Sequence, residues 1–543
     1  MDLSVRRLAA IGLGAGLLAG VSTAALAQST AQAQAAPTDA RDARIEQLET
    51  EVRQLATEVQ ELKRGQQEQV QTLANTQNQP LAAPSANSVF ADGRPSIAST
   101  DGQFLLNFHG IMQFDAAQYD QDAAGPISHD FRRSGPALGA SASNVDLAHA
   151  RHLKDGDDFR RARIGFDGTV YGDWDYRLIF DFGGTGTENA GQLYESWVQY
   201  SGLRPVRFRV GAFPPQIGME DQASTNTMPF LERTVSSDLA RGLAAGDTRT
   251  AAAVFANGAH WLVSGAVTGR TVGVINTGTA SAVPQTFSDQ LGLVGRAAGT
   301  PLHGKDWLVH VGVHGSYVAR PSDASGPATN GATPLSSSVI ALANTPELRV
   351  DGTKLINTGN IDARHASTLG AEFAAQKKNL LIQAEYEHFT VDRSDGFSSP
   401  DFNGYYVEGL WMLTGDARRY NAATGAFDGP AILHTFSPSQ GAWGAWELGV
   451  RFSDMDLNYR PGAAGTLQTG SEIRGGDEQN LTVGLNWFPN NIVRFMFDYQ
   501  HVRIDRLSPA TTLTAANTIW FTPAGVQIGQ SYDVFAIRSQ FAF

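Results

Sequence analysis

The fold is decided by residues 104–115, which read FLLNFHGIMQFD. Apolar and polar side chains alternate along this stretch. The apolar set is Phe104, Leu106, Phe108, Met112 and Phe114, and the polar set is Asn107, His109, Gln113 and Asp115. Because successive side chains of an extended strand point to opposite faces, the alternation predicts a β-strand with one apolar and one polar face.

The same two-residue period recurs along the rest of the chain. Further examples lie at residues 174–182, 206–210, 380–387 and 495–500, and the chain ends in a stretch that alternates through Phe535, Ile537, Phe541 and Phe543. These strands are about ten residues long, whereas strands of globular proteins usually have about five or six. A strand of about ten tilted residues is long enough to cross a bilayer. The period therefore favours strands that span a membrane.

The connections between the strands favour a closed barrel. Tight turns are expected at 172–173, 377–379 and 489–491, and long connections rich in Gly, Ser, Ala and Pro at 120–158, 276–290, 320–347 and 415–440. Short turns at one end and long loops at the other are typical of outer-membrane barrels. At roughly 25 to 28 residues per strand and connection, residues 100–543 predict about sixteen strands around a water-filled lumen. The alternative, a soluble β-sandwich, would need a second sheet over each apolar face.

The composition excludes several other classes of protein. The chain has 543 residues, a formal net charge of −13 and no cysteine, so it has neither disulfides nor thiolate metal sites. Its acidic balance argues against nucleic acid as a partner. A mean hydropathy of −0.21 is too polar for a bundle of transmembrane helices. Of its 41 basic residues 35 are arginine, the side chain best suited to bidentate recognition of oxyanions.

Three segments precede the predicted barrel domain, residues 100–543. Residues 1–27 run from Arg6 and Arg7 through an apolar stretch to an A-x-A site at Ala25–Ala27, the order of a secretory signal peptide. Residues 40–73 contain a heptad seam and predict a short coiled-coil helix. The seam is Ile45, Leu48, Val52, Leu55, Val59 and Leu62. Residues 74–99 are rich in Asn, Gln, Ala, Pro and Ser and are interpreted as a linker.

Five stretches of the chain resemble the phosphate-selective porin O/P family. Residues 159–176, FRRARIGFDGTVYGDWDY, are similar to an early hairpin of that family. Residues 194–211 and 213–234 are similar to its strand and inward-folded constriction loop, and residues 481–506 and 538–543 extend the match. The resemblance covers approximately residues 100–543. It implies a trimeric, sixteen-stranded anion channel of the Gram-negative outer membrane.

The resemblance also implies an arginine ladder in the lumen that leads to a narrow phosphate site. Arg160, Arg161 and Arg233 match that pattern. The alternation of faces separately predicts that the lumen is lined by Arg161, Arg163, Arg177, Arg207 and Arg209. The expected partners are small anions or other solutes, outer-membrane lipid, and the barrel-assembly machinery acting on the terminal Phe543. No cofactor and no metal ion is expected.

Two departures from the family pattern bear on the solute. Asn226 stands where phosphate-selective members place a lysine, and Ile111 stands where an arginine is expected. Losing two cations from a dry constriction weakens oxyanion binding, because each charge-assisted hydrogen bond contributes about 1.5–3 kcal/mol. A second interpretation of each lumen arginine is an ion pair within the wall. Its partners would be Asp167, Asp175 or Asp181.

Two other functions remain open at this point. The coiled coil suits an outer-membrane tether to periplasmic partners, although no peptidoglycan-binding module accompanies it. An outer-membrane enzyme is the less favoured alternative, because the sequence has neither a G-x-S-x-G nor an H-E-x-x-H motif. His310 and His314 share one face of a strand, and we interpret them as lining the lumen or a loop rather than binding a metal.

Overall fold

The computed structural model describes most of the carboxy-terminal part of the chain. The described residues are 54, 57, 59–61, 63, 87–91, 94–121, 153–184, 192–245, 248–272, 290–321, 338–509, 525 and 527–543. The predicted signal peptide lies outside them. The described residues of the predicted coiled coil, which lies in the unit Met1–Pro84, are helical.

Sixteen long strands in the unit Ser85–Phe543 form the fold. They are β1 Leu105–Gln121, β2 Gly156–Val170, β3 Trp174–Asp181, β4 Gln192–Leu203, β5 Val206–Phe213, β6 Arg249–Asn257, β7 Trp261–Thr271, β8 Leu291–His303, β9 Trp307–Arg320, β10 Ile361–Lys377, β11 Leu380–Arg393, β12 Asp401–Met412, β13 Ala445–Tyr459, β14 Ile473–Phe488, β15 Val493–Asp505 and β16 Ser531–Ala542. Each strand pairs antiparallel with the next, and β16 pairs with β1. The predicted closed barrel and its strand number are confirmed.

The barrel closes where the two ends of the strand series meet. Along this seam Phe541 pairs with Met112 and Ala542 with Ile111. The terminal Phe543 continues the ladder, because its backbone N–H donates to the Gly110 carbonyl at 2.9 Å and its carbonyl accepts from the Gly110 N–H at 3.1 Å. The last residue of the chain therefore contributes hydrogen bonds to the closure.

The two faces of the strands differ as the alternation predicts. On β1, Phe108 is 42% exposed and Met112 is 48% exposed on the outer face, while Gln113 and Asp115 are fully buried inside. The other strands also expose large apolar side chains on the outer face, while their inner faces carry buried polar side chains together with apolar ones. No helix among the described residues is long and apolar enough to cross a bilayer.

The three predicted tight turns lie together at one end of the barrel, as expected, but one predicted long loop is at the wrong end. The tight turns near 172–173, 377–379 and 489–491 all lie at one end of the barrel, the short-turn end. The segment 415–440, which was expected among the long loops, also lies at this end, because it connects β12 to β13. The length of this segment suggests the long-loop end. The end at which a connection lies depends instead on the number of strands that precede it.

That segment carries a small hairpin, the turn-side hairpin, made of Arg418–Asn421 and Ala426–Pro430. The hairpin folds against the inner wall. The Arg296 side chain of β8 donates to the Gly425 carbonyl at 2.8 Å, and His310 of β9 lies 2.9 Å from the Tyr420 hydroxyl. The lumen is therefore partly filled from the short-turn end.

A second segment enters the lumen from the opposite, long-loop end. This inner loop, residues 214–245 and 248 between β5 and β6, contains the short helices α1 Met219–Gln222 and α2 Val235–Ala240. Several of its apolar side chains form a buried cluster with those of the connection between β9 and β10. The cluster includes Leu231, Val235, Leu239, Leu342, Leu348 and Ile356. Burial of this cluster stabilises the inner loop inside the barrel.

A further hairpin precedes the barrel. Strand Asn87–Ala91 pairs with strand Arg94–Ala98, which in turn pairs with the beginning of β1. Both strands lie within the segment that the sequence suggests is a linker.

Close packing of strands requires a glycine at position 165 of β2. A Cβ atom there would lie 2.2 Å from the Leu178 carbonyl oxygen and 2.7 Å from the Ile179 Cα, and backbone atoms cannot move aside. We expect Gly165→Ala to lower the free energy of unfolding by about 1–3 kcal/mol, as overpacking does. Urea unfolding followed by tryptophan fluorescence measures the change.

The control for this prediction is Gly409→Ala in β12, where no heavy atom lies within 4 Å of the added Cβ. An equal loss of stability in both variants would contradict the packing argument.

Candidate functional site

The inner loop is fixed to the barrel wall through its backbone. The Leu231 N–H donates to the Asp498 carboxylate at 2.9 Å, and the Gln113 side chain donates to the Thr225 carbonyl at 3.0 Å. The Arg494 guanidinium donates to the Asn226 carbonyl at 3.2 Å. Such bonds come from several strands around the barrel, so the loop forms a fixed narrowing of the lumen.

Glu232 of the inner loop is the centre of an arginine cluster. Arg160 donates two hydrogen bonds to its carboxylate, at 2.8 and 3.1 Å, and Arg538 donates one at 2.7 Å. Arg161 lies at 3.4 Å, and the Glu232 side chain is only 4% exposed. Three strand arginines therefore hold one loop carboxylate.

This cluster determines the protonation state of Glu232. Burial alone would raise the pKa of its carboxyl, but Arg160, Arg161 and Arg538 more than offset burial and hold the pKa well below the usual range. Because the folded-state pKa is lowered, these ion pairs stabilise the loop at neutral pH. Their contribution is lost only as the pH falls through the lowered pKa.

A β-bulge explains how adjacent arginines both reach this carboxylate. In strict alternation Arg160 and Arg161 would face opposite sides of the sheet. The pairing of β2 with β1 slips at this point, so that Phe159 and Arg160 together oppose Phe114. Such a bulge redirects one side chain. Arg160 therefore lies inside the barrel together with Arg161, as the family resemblance implies and simple alternation does not.

Arg163 lies beside the cluster and has its own carboxylate. Its Nε donates to Asp181 at 2.7 Å, and its Nη1 lies 3.3 Å from the Thr225 hydroxyl. Its guanidinium carbon lies 3.5 Å from the centre of the Tyr194 ring. Arg163 therefore forms the ion pair within the wall that the alternative interpretation predicts, and it still faces the lumen.

Arg233 occupies a different position from its neighbours. It is 5% exposed, and it donates to the backbone carbonyls of Glu220, Asp221 and Ala223 within the inner loop. Asn226 is half-buried; its carbonyl accepts hydrogen bonds from the wall, and its side-chain oxygen has no partner. Arg233 therefore braces the loop while its charge stays close to the narrowing.

A small cavity lies between the inner loop and β2. It has a volume of about 60 Å³ and is lined by six arginines and three carboxylates. The cations are Arg160, Arg161, Arg163, Arg233, Arg241 and Arg349, and the anions are Asp181, Glu232 and Asp238. Asp221, which pairs with Arg241 at 2.9 Å, brings a fourth carboxylate close by. Cations still exceed anions by two, so the cavity is electropositive.

The remaining predicted arginines lie toward the short-turn end and not around this cavity. Arg177 pairs with Glu195 at 3.4 Å and with Asp167 at 3.8 Å. Arg207 and Arg209 donate to the neutral side chains of Asn257 and Gln199. Asp175, a candidate ion-pair partner, instead accepts hydrogen bonds from Thr169, Gln199 and Ser201.

The sequence reasoning missed several arginines of the site. Arg538 faces inward by the same alternation that places Ile537 outside, so the period could have identified it. Arg241 and Arg349 lie in connections without a period, and no sequence signal places them at the cavity.

His310 and His314 belong to a buried network on β8–β11. Glu372 accepts from the Arg296 guanidinium at 2.8 and 2.7 Å, and the two histidines lie 3.0 and 2.8 Å from its carboxylate. His314, Glu372 and Glu385 bring possible metal-ligand atoms within 4.8 Å of one another. Because Arg296 and both histidines already contact Glu372, we interpret the network as wall structure.

Arg538 is the arginine on which the cluster depends most. It donates two hydrogen bonds of 2.6 Å to Asp115 and a third to Glu232, all fully buried. We expect Arg538→Met to lower the free energy of unfolding by about 3–5 kcal/mol, because it leaves the Asp115 carboxylate buried without its ion-pair partner and removes one of the three arginines that contact Glu232. Urea unfolding in detergent micelles measures the loss.

The matched control is Arg503→Met, which breaks the exposed pair of Arg503 with Asp505 on the outer face. It should cost less than about 1 kcal/mol. Similar losses in the two variants would refute the central role of the buried cluster.

Comparison with known proteins identifies a family and a relative that this chain matches. The chain matches the family described as phosphate-selective porin O and P over residues 137–543. It is 24% identical to Porin O of Pseudomonas aeruginosa over 428 residues, which are 77% of this chain and 87% of that protein.

Among solved structures, an anion-selective porin from Comamonas acidovorans matches with 12% identity and a TM-score of 0.42. The match covers 81% of this chain and all of that one. A loop-deletion mutant of OmpT, an outer-membrane protein of Vibrio cholerae, matches with 9% identity and a TM-score of 0.44, again over 81% of this chain and all of that one.

Proposed function

The chain belongs to the phosphate-selective porin O and P family, and from this premise we propose that its arginine-lined narrowing selects small anions such as phosphate. The protein is a porin of the Gram-negative outer membrane, a closed sixteen-stranded barrel with polar side chains inside. The predicted assignment as a channel is confirmed. What we propose beyond it is the basis of selectivity, the residues involved and the assembly.

The observation that carries the proposal is the excess of two positive charges around the cavity beside the inner loop. A volume of 60 Å³ holds about two water molecules at roughly 30 Å³ each, so a solute passing here loses much of its hydration. Guanidinium groups stay charged and can replace lost water with N–H donors. An anion gains from that exchange, and a cation is repelled.

Carboxylates beside the arginines moderate this selectivity. Glu232 and Asp181 hold Arg160, Arg161 and Arg163 in place, and they reduce the field that a passing anion meets. Such pairing supports fast passage, because conduction requires binding weak enough for release. The pore thus offers fixed hydrogen-bond donors but does not bind one anion so tightly that it is retained.

The two departures from the family pattern support a broad anion preference rather than an exclusive one. Ile111 is buried on the inner face of β1, and Asn226 lies on the inner loop. Both positions thus offer neutral side chains where the family pattern has cations. We infer that phosphate passes along with other small anions, and that phosphate is bound less tightly than in members with the full cation set.

We also infer that the porin assembles as a homotrimer, and that Phe543 serves as a signal to the barrel-assembly machinery. Family membership supports the first inference, and the position of Phe543 at the closing seam supports the second. Transport, rather than catalysis, is the activity we assign to the lumen.

Ion selectivity in planar bilayers tests the proposed function. We expect the protein to prefer chloride and phosphate over potassium in reversal-potential measurements across salt gradients. Arg161→Gln and Arg163→Gln should each reduce the anion-to-cation permeability ratio by about 3- to 10-fold, because each removes one charge from a poorly hydrated site.

The control is Arg393→Gln, which removes an arginine that pairs with Asp395 in the connection between β11 and β12. Its permeability ratio should match that of the unaltered protein. Unchanged selectivity in both cavity variants would assign those arginines to wall structure alone.

A further inference from the structure

A second group of cations lies toward the short-turn end of β5, apart from the cavity. The guanidinium carbon of Arg209 lies 4.0 Å from the centre of the Trp197 ring, 4.8 Å from that of Phe255 and 5.2 Å from that of Phe213. Arg207 lies nearby, 5.9 Å from the Phe255 ring. We call these five residues the Arg209 cluster.

The two arginines of the cluster have neutral partners. Arg209 directs Nε and Nη2 to the Gln199 side-chain oxygen, at 3.1 and 2.9 Å. Arg207 directs Nη2 to the Asn257 side-chain oxygen at 2.6 Å. Within the described part of the chain, no carboxylate forms an ion pair with either arginine. Their charges are therefore oriented by hydrogen bonds but not neutralised by contact, in contrast to those of Arg160, Arg161 and Arg163.

Aromatic rings lie on one side of these charges. Phe213 and Phe255 form a small buried cluster with Ala253, and Trp197 packs against it. The Trp197 indole N–H donates to Glu195 at 2.7 Å, which fixes the ring, while the ring itself is only half-buried. The cluster thus combines a fixed aromatic surface with two guanidinium groups.

We propose that the Arg209 cluster is a binding site for anions with a flat apolar body, such as arenecarboxylates and arenesulfonates. This inference rests on the proposed function, because the ligand must be an anion that the channel admits. The charged group of the ligand accepts hydrogen bonds from Arg207 and Arg209, and its ring packs on the exposed part of the half-buried Trp197. An anion without a ring gains only the first contact.

A matched pair of ligands isolates the contribution of the ring. Benzenesulfonate and methanesulfonate carry the same charged group, and each is added from the short-turn side while chloride current is recorded in planar bilayers. We expect benzenesulfonate to halve the current at a concentration about tenfold lower than methanesulfonate does, the ratio that one stacking contact provides.

Two variants assign this preference to the cluster. Trp197→Leu should bring the two blocking concentrations within about threefold of each other, and Arg209→Gln should weaken the block by both anions. Trp197→Phe keeps a ring and should keep most of the preference, which guards against a folding defect of the leucine variant. The control is Trp261→Leu, which alters a tryptophan exposed on the outer face of β7.

The outcomes separate this inference from the proposed function. A channel that prefers anions but is blocked equally by both sulfonates, or one whose preference survives Trp197→Leu, overturns the aromatic site and leaves the proposed function intact. If the unaltered protein shows no preference for anions over cations, the proposed function itself is overturned.

Discussion

The architecture depends on one constraint, that no backbone N–H or C=O group can remain unpaired in hydrocarbon. A sheet whose outer face is apolar must therefore close on itself. The chain satisfies this requirement where β16 pairs with β1 and where Phe543 exchanges hydrogen bonds with Gly110. Closure with sixteen strands leaves a lumen that is wider than side chains alone can fill. Solutes can therefore pass through it.

The lumen is narrowed by chain segments held both by apolar packing and by charge. Arginines of the wall donate to carboxylates and carbonyls of the inner loop, and Glu232 is the point where they converge. Burying such ion pairs costs desolvation free energy, and removal of one partner leaves the charge of the other buried and uncompensated. These arginines keep the loop in place, and in the proposed function they also give the cavity beside the loop its positive field.

Much of the fold could be predicted from the sequence, because a period of two directly encodes an outer and an inner face. The period separated Phe108 from Gln113, and it placed Arg161 and Arg163 inside the barrel. It failed at Arg160, where a bulge shifts the alternation by one residue.

Features without a period were harder to predict. The segment 415–440 was assigned to the wrong end of the barrel, because composition identifies a connection but not its side. Arg241 and Arg349 reach the cavity from irregular connections, whose path depends on tertiary packing. The roles of the individual arginines in permeation stay predictions.

The turn-side hairpin has a consequence for how the pore responds to large solutes. Arg418 of this hairpin donates to the Thr227 carbonyl of the inner loop at 2.7 Å and to Glu447 of the wall at 2.6 Å. The narrowing is thus held from the short-turn end as well as from the surrounding wall. We therefore expect the size limit for solutes to be set by these fixed contacts of the inner loop.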